Sequence, residues 1–211
     1  MSDGASQLGF VHVHVPPTGT VDQRTVLLLH GTGGNERDLL DIGAAVAPGA
    51  RLVGVRGQVL ENGMPRFFRR LAEGVFDETD LRVRAAELAA FVSAAALVYG
   101  FDPAQVVAIG YSNGANIAAA MLLLHPGVLS GAVLLRSMVP LIPVELPSLG
   151  GTPVLIVEGE FDPIVPRSNA ERLALLLRDA GASVILQWQS ASHGLTPEDL
   201  QVARRWMGDA R

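Results

Sequence analysis

Short apolar runs, each closed by glycine, proline or polar residues, recur along this chain and predict a sheet of buried strands. Five runs are apolar throughout or nearly so, which is typical of parallel strands covered on both faces. They comprise Thr25–Leu29, Arg51–Val55, residues 106–109, Gly131–Leu135 and residues 153–157. Residues 184–188 form the last predicted strand. Residues 10–15 alternate in polarity before Pro16, so they predict an edge strand.

Segments with helical spacing of apolar residues alternate with these strands. The longest covers residues 77–99, where one apolar stripe ends at Gly100, a typical helix stop. The other predicted helices cover residues 39–46, residues 114–124, a segment that begins at Ser168 with a capping box to Glu171, and a segment that begins with Thr196 as N-cap, Pro197 and Asp199. This alternation predicts an α/β fold with a mostly parallel central sheet and helices on both faces.

The composition is that of one globular domain and argues against several classes of function. With 211 residues, 49% of them hydrophobic, the chain can bury one core, so we expect a single domain over residues 1–211. A net charge of −5 gives no basic surface for nucleic acid, and the absence of cysteine excludes a thiol nucleophile and thiolate metal sites. Residues 1–9 lack signal-peptide features and no apolar run could span a bilayer, so we expect a cytoplasmic protein without membrane contact.

The pentapeptide 110–114, Gly-Tyr-Ser-Asn-Gly, links a predicted strand to a predicted helix and is typical of a nucleophile elbow. In such a turn the serine has a strained backbone, and flanking glycines remove the Cβ atoms that would clash. The hydroxyl of Ser112 would then stand above the sheet, with the amide of Asn113 at the helix N-terminus beside it. Taken alone, the pentapeptide is also compatible with an ordinary tight turn.

The loop 30–34, His-Gly-Thr-Gly-Gly, follows an early strand and predicts a second set of inward-facing amides. α/β hydrolases place an oxyanion donor in such a loop, and here we expect the amide of Thr32 to serve. A phosphate-binding loop is the competing interpretation, but neither GxGxxG nor GxxxxGK is present. His30 is interpreted as a structural residue that braces the loop.

Three carboxylates after residues 153–157 compete for the role of a catalytic acid. They are Glu158, Glu160 and Asp162. We expect Glu158 to lie on the strand, and we prefer Asp162 to Glu160, partly because Pro163 fixes the adjacent backbone and partly because of the resemblance described below.

His193 lies in the loop after the last predicted strand, at the edge of the sheet where Ser112 is also expected. The chain order Ser112, Asp162, His193 is the order used by α/β hydrolases. Ser112 would attack an acyl carbon, His193 would take and return the proton, and Asp162 would orient the imidazole.

Two charged features leave alternatives open. Residues 59–71 have no clear period and contain two phenylalanines and three arginines, so they predict either a substrate-pocket wall or a surface loop held by buried aromatic rings. Arg136 follows a buried strand and predicts either an ion pair with Glu158 or Glu160, or a contact to an acidic substrate.

His12 and His14 share one face of the edge strand. An i, i+2 histidine pair can bind a metal, but no third ligand is suggested nearby, so we interpret them as solvent-facing polar groups. Residues 138–151 contain three prolines and predict a long connection that overhangs the site.

Five segments together resemble the phospholipase/carboxylesterase family, small α/β hydrolases without a large cap domain that are related to acyl-protein thioesterases. The segments are LLLHGTGGNE, VLENGMPRFFRR, GYSNGAN, GEFDPIVP and SHGLTPED, and the resemblance covers nearly the whole chain. It implies an α/β-hydrolase fold, a triad of Ser112, Asp162 and His193, and oxyanion donors at Thr32 and Asn113.

The resemblance also bears on the substrate pocket and on the substrate. In relatives the loop that matches MPRFF helps to line the acyl pocket, which favours pocket roles for Met64, Phe67 and Phe68, and we add the neighbouring Arg69. Acyl-protein thioesterases usually carry GFSQGG at the elbow, whereas this chain has GYSNGA. It therefore resembles the bacterial carboxylesterase branch more closely.

The sequence thus predicts a serine esterase that needs no metal or cofactor and acts on short- to medium-chain carboxylic esters. The expected partner is a small-molecule ester. Deacylation of proteins or lysophospholipids is the first alternative, and a non-catalytic binding protein on the same scaffold is the second. The sequence leaves open the physiological ester, the oligomeric state, a homodimer included, and any preference of Arg66, Arg69 or Arg136 for acidic substrates.

Overall fold

Eleven strands, five α-helices and one short 3-10 helix (Pro103–Gln105) lie within residues 8–18 and 23–209, which the computed structural model describes. Of the amino-terminal residues 1–9, which the sequence predicts to lack signal-peptide features, residues 1–7 lie outside this part of the chain. The strands are β1 (His12–Val15), β2 (Thr25–Leu29), β3 (Arg51–Val55), β4 (Val59–Glu61), β5 (Met64–Arg66), β6 (Arg70–Ala72), β7 (Val75–Phe76), β8 (Val106–Tyr111), β9 (Gly131–Leu135), β10 (Pro153–Gly159) and β11 (Ser183–Gln189). The helices are α1 (Leu40–Val46), α2 (Glu78–Tyr99), α3 (Asn113–Leu124), α4 (Arg167–Asp179) and α5 (Pro197–Asp209).

Seven of these strands form the central sheet, in the order β1-β3-β2-β8-β9-β10-β11. β1 pairs antiparallel with β3, and the other pairings in this sheet are parallel. Because the parallel strands run in one direction, the loops that follow β2, β8, β10 and β11 meet at one edge of the sheet. The loops predicted to carry catalytic groups are these four.

Helices cover both faces of the sheet, as predicted. Leu27 and Leu29 of β2 face the core formed with α2, α3 and α4, whereas Val26 and Leu28 face the core formed with α1 and α5. Since both sets of side chains are buried, successive residues of a strand must all be apolar. This two-sided burial explains why the inner strands are continuous apolar runs in the sequence.

The segment between β3 and α2 forms two hairpins, β4–β5 and β6–β7. The first turns through Asn62 and Gly63, whose φ angles of 51° and 80° are positive, as a two-residue Asn-Gly turn requires. The sequence analysis found no period here because these strands are three residues or fewer and are only partly buried. The described chain carries no inserted cap domain at this position.

The predicted helix boundaries hold for α2 and α5 but not for α4. Asp77 accepts a hydrogen bond from the Asp80 amide at the start of α2, and Gly100 ends it with φ of 65°. α4 begins at Arg167, and the residue before it, Pro166, offers no side-chain cap. The predicted capping box is therefore wrong, because Glu171 instead pairs with Arg167 one helical turn earlier, at 3.1 Å. No helix in the described ranges is long and apolar enough to cross a membrane.

His12 and His14 face the end of α2, so their interpretation as solvent-facing groups is wrong. Nε2 of His12 lies 2.6 Å from the Tyr99 hydroxyl, and the ring of His14 stacks on the Tyr99 ring. Nε2 of His14 also lies 2.7 Å from the guanidinium of Arg51. Among the residues described, no group of three or more histidines and carboxylates is arranged to hold a metal ion.

Candidate active site

Ser112 lies in the sharp turn between β8 and α3. Its backbone has φ of 51° and ψ of −111°, a strained combination for a residue with a side chain. A Cβ at Gly110 would lie 2.5 Å from the carbonyl oxygen of Gly114, and a Cβ at Gly114 would collide with the carbonyl of Leu29. The two glycines are therefore required by the close approach of β2, β8 and α3.

A line of hydrogen bonds joins Ser112, His193 and Asp162. Nε2 of His193 lies 3.0 Å from Oγ of Ser112, and Nδ1 lies 2.7 Å from Oδ2 of Asp162. A carboxylate only accepts hydrogen bonds, so the ring carries its proton on Nδ1 and leaves Nε2 free to accept from the serine. The three predicted triad residues are thus brought together from three separate loops.

Of the three competing carboxylates, Asp162 alone contacts His193. Its Oδ1 atom accepts hydrogen bonds from the amides of Ile164 and Val165, and its side chain is fully buried. Glu160 is exposed to solvent. Glu158 lies on β10 as expected, where Oε1 accepts hydrogen bonds from the amide and hydroxyl of Ser137. Burial raises the pKa of Glu158 to about 8, so this carboxyl is mostly protonated at neutral pH.

The two predicted oxyanion donors border the same cavity as Ser112. The amide of Asn113 is in the first turn of α3, where backbone N–H groups have no partner within the helix. Within the described chain, the backbone amides of Thr32 and Asn113 donate to no other loop or turn carbonyl. Both donors are therefore available to an oxygen atom placed next to Ser112.

His30 braces the loop after β2, as the sequence indicated. Its buried ring accepts a hydrogen bond from the Gly57 amide at Nε2, over 3.0 Å, and Nδ1 contacts the carbonyl of Gly31. Burial lowers the pKa of His30. The ring is therefore neutral, and it ties the loops after β2 and β3 together.

Arg136 is fully buried, which excludes a contact to an acidic substrate, and its ion pair is with Asp199 instead of Glu158 or Glu160, so both interpretations offered for it are wrong. Its guanidinium binds both carboxylate oxygens of Asp199 at the start of α5, at 2.7 and 3.0 Å. It also donates to the carbonyls of Ser192 and Gly194, the residues on either side of His193. Arg136 therefore holds the histidine loop from inside the protein.

A cavity of about 260 Å³ opens beside Ser112 and His193. Its walls mix polar and apolar surface, and the apolar part is somewhat the larger. The polar residues are Thr32, Arg66, Arg70, Glu73, Asn113 and Asn116, and the apolar part comes from Phe76, Met138 and Ile164. Tyr111 completes the wall, and its hydroxyl donates to the carbonyl of His193 over 3.1 Å.

None of the four residues predicted to line the pocket borders this cavity, so that prediction is wrong. Phe67 and Phe68 are buried in the core, because the chain between the two hairpins turns inward. Met64 is partly exposed beside Gly33, and Arg69 points outward to Asp77 and Asp80. The same segment reaches the cavity through its other two arginines.

Several residues of the cavity wall, including Arg70, Tyr111 and Asn116, were not predicted from the sequence. For Asn116 a signal was present, since it lies three residues after Asn113 on the same face of a predicted helix. Arg70 carried none, because its place beside the site depends on the β6–β7 hairpin. Arg70 pairs with Glu61, at 2.8 Å, and Glu61 also pairs with Arg66.

Comparison with known proteins gives consistent results. The sequence profile of the family described as Phospholipase/Carboxylesterase matches residues 12–208. MhqD of Bacillus subtilis (strain 168), named as a hydrolase, is 51% identical over 197 residues, which cover 93% of this chain and 98% of MhqD. A crystal structure of the Bacillus cereus carboxylesterase matches with a TM-score of 0.94 and 47% identity, over 98% of this chain and 97% of that one. A structure of YahD with malic acid matches with a TM-score of 0.89 and 29% identity, over 96% and 100%.

Proposed function

Because the chain belongs to the phospholipase/carboxylesterase family of α/β hydrolases, we propose that it is a serine carboxylesterase for short- to medium-chain carboxylic esters. The observation that carries this proposal is the pair of hydrogen bonds from Ser112 through His193 to Asp162. The amides of Thr32 and Asn113, which donate to no loop or turn carbonyl in the described part of the chain, support the same chemistry. The reaction proceeds through an acyl-enzyme on Ser112.

In acylation, Oγ of Ser112 attacks the carbonyl carbon of the ester while Nε2 of His193 takes the serine proton. Asp162 accepts the hydrogen bond from Nδ1 and stabilises the imidazolium that forms. The carbonyl oxygen becomes an oxyanion and receives hydrogen bonds from the amides of Thr32 and Asn113. The imidazolium then protonates the leaving alcohol oxygen as the carbon–oxygen bond breaks.

In deacylation, a water molecule takes the position of the departed alcohol. His193 removes a proton from this water, which attacks the carbonyl carbon of the acyl-enzyme. The same two amides stabilise the second oxyanion. When the bond to Ser112 breaks, the proton returns to the serine, and the carboxylic acid leaves.

The size of the cavity and the charged residues in its wall favour small substrates. Its volume of about 260 Å³ lies below the ~300–1,000 Å³ that is common for pockets of drug-sized ligands. A long alkyl chain would also cover charged groups of Arg66, Arg70 and Glu73 without giving them hydrogen bonds, which is unfavourable. The malic acid in the YahD structure is likewise a small polar molecule. Deacylation of lysophospholipids or acylated proteins is therefore the second candidate.

The test is the rate of p-nitrophenyl ester hydrolysis as a function of acyl length, for the wild type and for Ser112→Ala. We expect turnover to be highest from acetate to butyrate and to fall by at least about 10⁴-fold in Ser112→Ala. Ser93→Ala, the same change at an exposed serine of α2, is the matched control and keeps the wild-type rate.

Three outcomes would contradict the proposal in different ways. A maximum at long acyl chains would replace the small-ester substrate by a lipid or protein thioester. Equal rates in the wild type and Ser112→Ala would remove Ser112 as the nucleophile. Absence both of turnover and of labelling by a fluorophosphonate probe would indicate a non-catalytic binding protein.

A further inference from the structure

Three consecutive residues at the end of the β4–β5 hairpin contact both oxyanion donor segments. The carbonyl of Pro65 accepts a hydrogen bond from the amide of Gly33, over 2.9 Å. Nη1 of Arg66 donates to Oγ1 of Thr32, over 2.6 Å. The amide of Phe67 donates to Oδ1 of Asn113, over 2.7 Å. We call residues 65–67 the bridging segment, since it joins the loop after β2 to the start of α3.

The backbone of the bridging segment is fixed by contact with Gly57, in the loop after β3. A Cβ on Gly57 would collide with the main chain of Arg66, so the two backbones are in direct contact. The amide of Gly57 in turn donates to Nε2 of His30. Because His30 begins the oxyanion loop, that loop is held at its first residue and again at Thr32 and Gly33.

The Arg66 side chain is only 4% exposed, yet it borders the cavity of Ser112. Its Nε atom donates to the carbonyl of Phe68 and forms an ion pair with Glu61 at 3.1 Å. Burial lowers the pKa of Arg66, as does the nearby charge of Arg70, but an arginine remains charged at neutral pH. A fixed positive charge therefore lies next to the oxyanion loop.

We propose that Arg66 is a positioning residue for the oxyanion hole, an inference that rests on the proposed esterase function. Through the hydroxyl of Thr32, it fixes the Thr32 amide at the distance that a tetrahedral oxyanion requires. Its charge also stabilises negative charge that develops on that oxygen. The contribution arises in the transition state, since the carbonyl oxygen of the bound ester carries less charge.

The hydrogen bonds of Arg66 distinguish this role from the binding of an acidic substrate. Nη1 is engaged by Thr32, and Nε is engaged by Phe68 and Glu61. The positive charges of Arg66 and Arg70 are also balanced by Glu61 and by Glu73 in the cavity wall. The contacts of Arg66 thus point to the protein's own oxyanion loop.

The test is a double-mutant cycle with Arg66→Met and Thr32→Val, assayed with p-nitrophenyl butyrate. Thr32→Val removes only the hydroxyl acceptor, because the oxyanion donor is the backbone amide. We expect each single variant to lower kcat roughly 10- to 100-fold and to leave KM within about threefold. The double variant falls no further than Arg66→Met alone, because both changes remove one hydrogen bond. A trifluoromethyl ketone, whose serine adduct carries an oxyanion, loses affinity in parallel with kcat.

Two further variants separate positioning from general damage. Thr32→Ser restores the hydroxyl and recovers most of the kcat lost in Thr32→Val. Arg69→Met is the matched control in the same segment, since Arg69 lies outside the cavity, and it keeps the wild-type kcat. Thr32 is exposed, so its variants fold even if Arg66→Met does not, which a thermal melt of each variant establishes.

The proposal is overturned if the losses of the two single variants multiply in the double variant, or if KM rises while kcat holds. A loss confined to esters that carry a carboxylate would show instead that Arg66 binds substrate. A wild type without ester turnover would refute the proposed function itself. If the wild type hydrolyses the ester and Arg66→Met and Thr32→Val hydrolyse it at the same rate, only the role of Arg66 is refuted.

Discussion

Ser112 lies between two regions, each of which is held by a buried arginine. The two arginines differ in their position relative to the cavity. On the oxyanion side, comprising loop 30–34 and the bridging segment, Arg66 borders the cavity and shares Glu61 with Arg70. On the histidine side, comprising residues 189–197 and the end of β9, Arg136 is fully buried and forms an ion pair with Asp199, which is also fully buried. One arginine is part of the site wall, and the other lies behind it.

Because of this difference, we expect Arg136 to contribute mainly to the stability of the fold and Arg66 mainly to catalysis. A charge that is fully removed from water is tolerated only with its partners in place, so the contacts of Arg136 are coupled to the stability of the fold. The charge of Arg66 lies beside the cavity and therefore acts on the group that reacts there. If Arg66 is replaced, Glu61 still has Arg70 as an ion-pair partner. Variants on the two sides should therefore lose different properties.

The largest expected effect is on stability, in Arg136→Met. The change leaves Asp199 buried without its cation and frees the carbonyls of Ser192 and Gly194, so the free energy of unfolding should fall by about 3–5 kcal/mol. Urea unfolding followed by circular dichroism measures it. Arg66→Met, the matched change on the oxyanion side, should lose much less stability while losing more kcat per folded molecule.

A second variant tests whether the loss arises from an uncompensated charge. Adding Asp199→Asn to Arg136→Met removes the buried carboxylate charge and should recover part of the lost stability. If the double variant is less stable than Arg136→Met, the packing of the arginine side chain and the cap at Thr196 matter more than the charge. If Arg66→Met proves equally destabilising, the contrast between the two sides fails.

The next effect is a pH dependence next to the histidine side, at Glu158 of β10, whose carboxyl contacts Ser137 just after β9; it is tested by Glu158→Gln. The pKa of Glu158 rises from about 4.5 in the unfolded chain to about 8 in the folded protein. The folded state therefore holds a proton that the unfolded state has lost, and stability decreases from pH 4.5 to 8 by at most about 1.4 kcal/mol per pH unit. Unfolding curves at pH 5, 6.5 and 8 should show this slope in the wild type and a flatter one in Glu158→Gln. Parallel slopes would mean that Glu158 is ionised in the fold.

The oxyanion side should show the opposite sign through His30. Burial lowers the pKa of His30 below its unfolded value of 6.5, so the folded state binds fewer protons. Its contribution to stability is complete above pH 6.5 and is lost as the pH falls below that value. Unfolding of His30→Gln between pH 7 and 5.5 should therefore be less pH-dependent than that of the wild type. A steeper dependence in the variant would exclude this role.

The two sides also differ in how far they could be predicted. Ser112, Asp162 and His193 each come after an apolar run that the sequence identifies as a strand. Because parallel strands end at the same edge of a sheet, the sequence also predicts that the three residues lie close together. The partner of Arg136 could not be predicted, because Asp199 is 63 residues away and its position depends on how α5 docks.

The segment of the two hairpins, between β3 and α2, was misinterpreted for a different reason. Its strands are too short and too exposed to carry a period of two, and alternation could not show that Phe67 and Phe68 are both buried. The Asn62-Gly63 turn was the one readable sign of a hairpin, because positive φ at both positions favours this dipeptide. The failed capping box at Ser168 shows a similar limit, since Pro166 with φ of −61° already starts the helix at Arg167.

Tyr111 is the residue that contacts both sides, and Tyr111→Phe should give the smallest effect. On the oxyanion side, Gly31 packs against the ring, where a Cβ would lie 2.8 Å from Cδ1. On the histidine side, the ring lies 5.6 Å from the His193 ring, centroid to centroid. The hydroxyl donates to the carbonyl of His193, between the two carbonyls that Arg136 binds.

Phenylalanine, which acyl-protein thioesterases usually carry at this position, keeps the ring contact and removes the hydrogen bond. Stability should fall by about 1 kcal/mol, and kcat should fall by no more than about fivefold, because Arg136 still holds the loop. Affinity for the trifluoromethyl ketone should fall no more than kcat does if the oxyanion side is undisturbed. A loss as large as that of Arg66→Met would mean that the two sides are coupled through Tyr111, and that the His193 loop depends on the Tyr111 hydroxyl as well as on Arg136.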